Sequence, residues 1–378
     1  MKALFVLNSS TFIYGANRSI SGLLQNIDFD YDLMICKSFT KKINEKEVRE
    51  KFGRHLKNIY VIWLPRYRCY PYDKSDLLGE CSHIVNNIIA FLCTNKRRKI
   101  IRKGEYDYVH LNSIVLFPIV DAVSKYVIHV REILNPAYKN INKVKKALRN
   151  ADGVIYIDVA TQSAVERVVV NHNSVLINNP FDMTGVQDVN YEENLQKYGL
   201  SSQNTIFAMV GQIMEVKGSQ LVLQAFMKHT NPNSRLLIVG NDNHAYAKEC
   251  KKMAEEDKRI IFCGELQDTR GIYRISDYIM RGDPQFCIGR TIYEGLFSGS
   301  GVIIPGHEED LKKMQSGEGL RDKIHFYEPG NAEALTKAIE ECSEHRMTDR
   351  EFRSNIKDYM GQYKLFVDKI VRNEEEEI

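Results

Sequence analysis

Lys217-Gly218 stands seven residues beyond the apolar run Thr205 to Val210, at the head of an amphipathic segment holding Leu221, Val222, Leu223, Ala225 and Phe226. A mobile ammonium beside the unpaired N–H groups of a first helical turn suits a diphosphate. Further along, Gly289-Arg290-Thr291-Ile292-Tyr293-Glu294 puts a cation and a carboxylate one turn apart on one helix face, either turned to a ligand or paired with each other. In the first half, Tyr14-Gly15-Ala16-Asn17-Arg18 follows the run Lys2 to Leu7. There Gly15 and Ala16 let backbone approach a ligand and open a helix whose N-terminus favours an anion. His129 lies near the end of another apolar run, Val127 to Val130. The dinucleotide fingerprint Gly-x-Gly-x-x-Gly is absent, and Gly299-Ser300-Gly301 precedes a strand, which disfavours a nicotinamide dehydrogenase.

Such groups need strands behind them, because open α/β sheets bind ligands just outside the carboxyl ends of their strands. Short β-rich runs alternate with helical periodicity, the signature of βαβ units and parallel sheets. The first half predicts strands at Lys2–Leu7, Tyr31–Cys36, Ile59–Trp63, Tyr108–Leu111, Val127–Val130 and Gly153–Ile157, with helices over Ala16–Gln25, Leu77–Arg102 and Val159–Val170. The second half restarts the rhythm at Thr205–Val210, Arg235–Val239, Arg259–Cys263, Asp277–Met280 and Val302–Ile304. Turn formers in Asn178-Asn179-Pro180-Phe181-Asp182 and the polar stretch to Glu193 mark a linker. The expected division is an N-terminal domain over 1–185, a C-terminal domain over 186–348, and a C-terminal helix within 349–378 that packs back toward the first domain and ends in the acidic run Glu374 to Glu377. Asp28, Asp30 and Asp32 give the one Asp-x-Asp spacing, but they lead into a strand, at the end away from ligand. No carboxylate-held metal is expected.

With 378 residues, 43% hydrophobic and 27% charged, the composition is that of a two-domain globular chain and excludes disorder, collagen and coiled coil. Net charge is only +3, which gives no reason to expect nucleic acid. That sum hides an asymmetry: residues 1–190 carry 27 Lys and Arg against 18 Asp and Glu (+9), and the remainder 25 against 31 (−6). The excess concentrates at Lys96, Arg97, Arg98, Lys99, Arg102 and Lys103, after the apolar stretch His83 to Cys93, and again at Lys143, Lys145, Lys146 and Arg149. Basic residues beside apolar ones suit an anionic membrane surface; a solvated helix face is the alternative. Cys36, Cys69, Cys81, Cys93, Cys250, Cys263, Cys287 and Cys342 fall singly with no Cys-x-x-Cys, so neither a disulfide framework nor a zinc site is expected. No secretory leader or membrane-spanning run is read, and the expected location is the cytoplasm, or the inner face of the membrane as a peripheral protein.

In their order and spacing these elements resemble the retaining glycosyltransferases of the GT-B fold, specifically the family-four or "glycosyl transferases group 1" type. The motifs are Gly211-Gln212-Ile213-Met214-Glu215-Val216-Lys217-Gly218, Val239-Gly240, Phe262-Cys263-Gly264, Ser276-Asp277, the frame from Phe286 to Glu294 with Gly299 and Val302-Ile303-Ile304-Pro305, and Tyr327-Glu328-Pro329-Gly330-Asn331. The resemblance covers most of the chain and is strongest from Thr205 to Ala338. It implies two doubly wound, Rossmann-like domains facing across a cleft. It also implies transfer of a sugar from a nucleotide-sugar to a glycan or lipid-linked acceptor with retention of anomeric configuration, in bacterial surface-polysaccharide synthesis, without cofactor or metal.

By the same resemblance Lys217 holds the donor diphosphate with Gly211 and Gln212, backbone at Gly289, Arg290 and Thr291 approaches phosphate, and Glu294 receives the ribose hydroxyls. Gly15, Ala16, Asn17 and Arg18 line the cleft, and His129 lies beside the reacting sugar as a catalytic residue with Lys217. Two positions depart from the family: Gln212 replaces the arginine of the phosphate pair, and Phe286 replaces the first glutamate of the paired motif. Arg18, Arg281 and Arg290 are the candidates for the missing charge. The competing expectations are a degenerate GT-B subunit that binds nucleotide or a partner without turnover, and a nucleotide-sugar 2-epimerase.

Overall fold

Five consecutive residues, Ala3, Leu4, Phe5, Val6 and Leu7, are completely buried, as a strand covered on both faces requires. They form β1 (Lys2–Leu7), which pairs in parallel with β2 (Asp30–Cys36) on one side, Phe5 opposite Leu33, and with β4 (Tyr108–Leu111) on the other, Phe5 opposite His110. With β3 (Leu56–Ile62), β5 (Tyr126–Val130), β6 (Gly153–Tyr156) and β7 (Ser174–Leu176) they make a seven-stranded parallel sheet in the order β3-β2-β1-β4-β5-β6-β7. A second sheet contains β8 (Thr205–Val210), β9 (Ser234–Val239), β10 (Ile260–Gly264), β11 (Tyr278–Met280), β12 (Gly301–Pro305) and β13 (Ile324–Tyr327), in the order β10-β9-β8-β11-β12-β13. The computed structural model describes residues 1–9, 15–39, 42–65, 77–122, 125–138, 140–286, 288–314 and 318–372. Tyr14, Cys69, Cys287 and the Glu374 to Glu377 run lie outside them.

The chain divides into two units, Met1–Pro180 with Ile356–Ile378, and Phe181–Asn355. In the first, opposite faces of the sheet bury separate cores. Leu4, Val6 and Met34 face one way, while Phe5, Leu7 and Leu33 face the other, where the C-terminal helix Ile356–Arg372 adds Tyr359, Tyr363, Phe366, Val367 and Ile370. Gly153 makes room for that helix: a Cβ there would stand 2.3 Å from Ile370 Cδ1 and 2.8 Å from Phe366 Cζ. In the second unit Ile206, Ala208 and Val210 face one core and Phe207 and Met209 the other.

Each sheet reverses its winding once, between β1 and β4 and between β8 and β11. Such reversals open the crevice where doubly wound sheets take ligands, so two switch points are the places to inspect.

Four local readings need correction. β7 and β13 are additional strands, short and at sheet edges, where little apolar pattern is required. The single helix read over Leu77–Arg102 is two, Leu77–Leu92 and Thr94–Gly104, parted at Cys93, which caps the second without a side-chain hydrogen bond. The helix read from Val159 to Val170 ends at Glu166. Residues 349–355 are not helical: the Arg353 N–H donates to the Phe297 carbonyl at 2.7 Å and Ser354 bridges Asp182, so their backbone bonds are already taken.

Candidate functional site

In the second unit, β8 ends at Val210 and Gly211 turns the chain with φ +136°, its N–H donating to the Val239 carbonyl at 2.9 Å. Ile213 is buried and pins the loop, while Gln212 stays exposed. A single turn of 3-10 helix, Glu215–Lys217, then delivers Lys217 to Gly218, whose φ of +62° is the left-handed region that glycine tolerates. A Cβ on Gly218 would lie 1.5 Å from the Gly282 carbonyl oxygen, and one on Gly282 would lie 2.3 Å from that of Gly218. The loops leaving β8 and β11 therefore touch backbone to backbone across the switch point. Gly218 caps the helix Ser219–Lys228 without a side-chain hydrogen bond, and Gly289 caps Arg290–Phe297 in the same way. Glycine caps leave first-turn N–H groups for another acceptor.

Lys217 Nζ lies 3.5 Å from Asp283 Oδ1, and the buried Arg281 grips the same carboxylate with Nε 2.7 Å from Oδ2 and Nη2 2.8 Å from Oδ1. Arg281 is held in turn by the Tyr327 hydroxyl on its carbonyl at 2.8 Å, and a Cβ on Gly289 would stand 2.2 Å from its Nη1. One carboxylate between two cations leaves a cluster of formal charge +1, and Lys217, at 35% side-chain exposure, is the member that reaches solvent. Of the three candidates for the missing charge, Arg281 adjoins Lys217 through the shared partner Asp283.

Glu294 is buried, and the sequence alternatives are resolved toward pairing: Oε1 accepts from Arg290 Nε at 2.8 Å and Oε2 from the Tyr273 hydroxyl at 2.7 Å. The Arg290 guanidinium also lies over the Phe181 ring, 4.8 Å from its centroid. Thr291 Oγ1 is 3.4 Å from Arg281 Nη1, which joins the helix Arg290–Phe297 to the Lys217 cluster. Phe286 is half-buried in an apolar setting, its ring centroid 6.5 Å from that of Phe326 and 5.4 Å from Lys313 Nζ, against Gly306.

At the switch point of the first unit, Gly15 opens the helix Gly15–Asn26 with φ +45°, and no described residue lies within 4 Å of where a Cβ would stand. Asn17 is buried and its Nδ2 donates to the Ser9 carbonyl at 2.9 Å, so it ties the loop down, whereas Arg18 is half-exposed. Asn112, just after β4, donates to the Ala16 carbonyl at 3.2 Å and accepts from Arg131 Nε at 2.6 Å. Arg131 also donates to Asn179 Oδ1 at 2.7 Å and to His129 Nδ1 at 3.3 Å.

That last contact fixes a tautomer. A guanidinium only donates, so His129 Nδ1 accepts and its proton sits on Nε2. His110 Nε2, 3.3 Å from His129 Nδ1, must then donate, which makes His110 Nδ1 the acceptor for the Tyr363 hydroxyl at 2.9 Å; Tyr108 lies 3.0 Å behind Tyr363. Burial and the neighbouring Arg131 hold both histidines well below the ordinary imidazole pKa, so both are neutral. His129 is completely buried, and its Nε2–H has no partner among the described residues. Glu132 beside it accepts from Ser113 Oγ and from the Ile114 N–H at 3.2 Å, and burial raises its pKa.

The structure thus brings Gly211, Lys217, Gly289, Arg290, Thr291 and Glu294 to one end of the second sheet, and Gly15 to Arg18 with His129 to the switch region of the first. The sequence reading missed Asp283, Tyr273, Asn112, Arg131, His110 and Tyr363. Of these, Arg131 follows His129 at the end of β5 and Asn112 follows β4, positions the strand-end rule flags. The aspartates at 28, 30 and 32 serve the far end: Asp32 accepts from the Asn58 N–H at 3.0 Å and Tyr106 hydroxyl at 2.6 Å, and Asp30 pairs with Lys57 at 3.0 Å.

Two parallel-sheet units with these switch points define the GT-B fold of glycosyltransferases. Residues 204–345, within the second unit, match the family model described as glycosyl transferases group 1. Over the whole chain the fold is similar to that of HepE from Anabaena in complex with UDP and glucose, at 17% identity and a TM-score of 0.71, covering 97% of this chain and 99% of that one. It is also similar to sucrose-phosphate synthase from Thermosynechococcus elongatus, at 14% identity and a TM-score of 0.66, covering 99% and 97%. A third similar structure is the lipopolysaccharide outer core galactosyltransferase WaaB, at 12% identity and a TM-score of 0.62, covering 99% of each chain. No curated protein matches the sequence.

Proposed function

We propose that the protein transfers a hexosyl group from a UDP-sugar to a glycan or lipid-linked acceptor in bacterial surface-polysaccharide assembly, with retention at the anomeric carbon. The observation that carries this reading is the Lys217–Asp283–Arg281 cluster beside two glycine-capped helices at the β8/β11 switch point. UDP and UDP-glucose in HepE, and the galactosyltransferase identity of WaaB, support the donor and acceptor classes.

In this reaction the bond from C1 to the diphosphate oxygen breaks while a bond from C1 to the acceptor oxygen forms on the same face, and the leaving phosphate takes the acceptor proton. Negative charge develops on the leaving diphosphate. Lys217 and the first-turn N–H groups of Ser219–Lys228 are oriented beforehand to receive it, which is how preorganised dipoles lower such barriers. No metal is assigned a role in this scheme. His129, with its proton fixed on Nε2, acts as a hydrogen-bond donor to the sugar and not as a base. Glu294, whose carboxylate only accepts hydrogen bonds, is the acceptor for the ribose hydroxyls.

Gln212 and Phe286 favour a second reading, nucleotide binding without turnover. Incubation with a panel of UDP-sugars and saccharide acceptors separates the two. Release of UDP with an α-linked product from an α-linked donor supports the transferase, and tight UDP binding without release from any donor supports the second reading.

A further inference from the structure

The expected membrane contact rested on basic residues next to the apolar stretch His83 to Cys93 and included Arg97. Arg97 is in fact buried: with Ile101 and Gly104 it forms the inward face of the helix Thr94–Gly104, at positions three and four residues apart. What remains outside is Lys96, Lys99, Arg102 and Lys103, with Arg98 half-buried.

The preceding helix, Leu77–Leu92, is inverted relative to an ordinary surface helix. Its inward positions include Asn86, whose Nδ2 donates to the Leu64 carbonyl at 3.0 Å, and Ala90. Its outward positions include Ile84, Val85, Ile88, Phe91 and Leu92, all exposed, with Phe91 at 77% and Leu92 at 75%. The offsets of zero, one, four, seven and eight residues make one continuous apolar stripe. A contiguous apolar stripe of this size on a soluble face marks an interaction surface.

Charge decides the occupant. Residues 81–104 contain six Lys and Arg and no Asp or Glu, so the stripe is continued by a basic helix. An apolar face joined to cations is what an anionic lipid leaflet takes up: acyl chains receive the side chains and headgroups the charges. We propose that Leu77–Leu92 lies in the plane of an anionic bilayer with Ile84, Val85, Ile88, Phe91 and Leu92 inserted, and that Lys96, Lys99, Arg102 and Lys103 bind the headgroups. The inference supplies the lipid side of the proposed lipid-linked transfer but stands on its own observations.

Co-sedimentation of the full chain with vesicles of 30% phosphatidylglycerol in phosphatidylcholine, and with phosphatidylcholine alone, tests it. Binding to the anionic vesicles is expected, falling at least tenfold in the double variant I88D/F91D and in K96E/K99E, with only the second mimicked by 0.5 M salt. L365D, at an exposed leucine of the C-terminal helix, should bind like the parent. Unchanged circular dichroism shows that the variants fold, since every replaced side chain is exposed. No binding to anionic vesicles, or equal binding by I88D/F91D, overturns the proposal. So does a dimer in sedimentation velocity that I88D/F91D dissociates without any vesicle binding, which would make the stripe a contact between copies. UDP titration runs beside it: vesicle binding without UDP binding sinks the transferase reading and leaves this one standing.

Discussion

At the scale of residues, Lys217 is the group whose removal is most informative, because it is half-exposed and Arg281 already holds its partner Asp283 through two hydrogen bonds. K217A should weaken UDP binding by calorimetry at least tenfold while the ligand-free Tm moves little, since partly exposed ion pairs contribute about 0–1 kcal/mol. Removing Arg281 would instead strand a buried carboxylate and unfold the loop, so loss of binding in R281A is expected to come with a lower Tm. The histidine pair makes a spectroscopic prediction: nitrogen-15 chemical shifts should show both His110 and His129 protonated on Nε2. In Y363F the donor to His110 Nδ1 is lost, and the destabilisation should be about 1–3 kcal/mol, the cost of leaving a buried acceptor unmet. An Nδ1-protonated His129 in the parent protein would break the chain of donors from Tyr108 to Arg131.

At the scale of elements, the close seat of the C-terminal helix on β6 predicts that G153A destabilises the first unit by about 1–3 kcal/mol, as overpacking does, measured by urea unfolding. The pH profile follows from buried neutral histidines. His229, with its Nε2 2.8 Å from Ser234 Oγ, is lowered to about 4 by burial and by Arg259, and His110 and His129 are lowered as well. Below pH 6.5 the unfolded chain takes up protons that the native state refuses, so stability is full above pH 6.5 and is lost as the pH falls toward 4. H229Q should flatten part of that fall in Tm. The apolar runs made β1 and β8 legible, as did Lys217-Gly218 and the Arg290 to Glu294 spacing. The edge strands β7 and β13 were not, because Ser174–Leu176 is three residues long and Ile324–Tyr327 is four residues long and only partly buried. Asp283 and Tyr363 were illegible for another reason: the links that place them, Asp283 to Lys217 and Tyr363 to His110, span 66 and 253 residues, and sequence periodicity reports only neighbours.

At the scale of the whole molecule, UDP binding to the native state should raise Tm with concentration, by about 2.7 kcal/mol of stability at a hundredfold excess over Kd. Deleting 356–378 should leave the first unit unable to fold, since Tyr359, Tyr363, Phe366, Val367 and Ile370 belong to its core. The second unit is tied at its own ends: the Phe181 N–H donates to Asn355 Oδ1 at 2.7 Å, the Asn355 N–H to the Phe181 carbonyl at 3.0 Å, and Asp182 bridges Ser354. During synthesis, then, the unit begun first is completed last. Its sheet waits on the ribosome with the Phe5 and Tyr108 face uncovered until the helix Ile356–Arg372 emerges, while residues 181–355 already have everything they need. Protease protection on stalled ribosomes should therefore appear in the second unit before the first, and a fragment of 181–355 should fold alone where one of 1–180 aggregates.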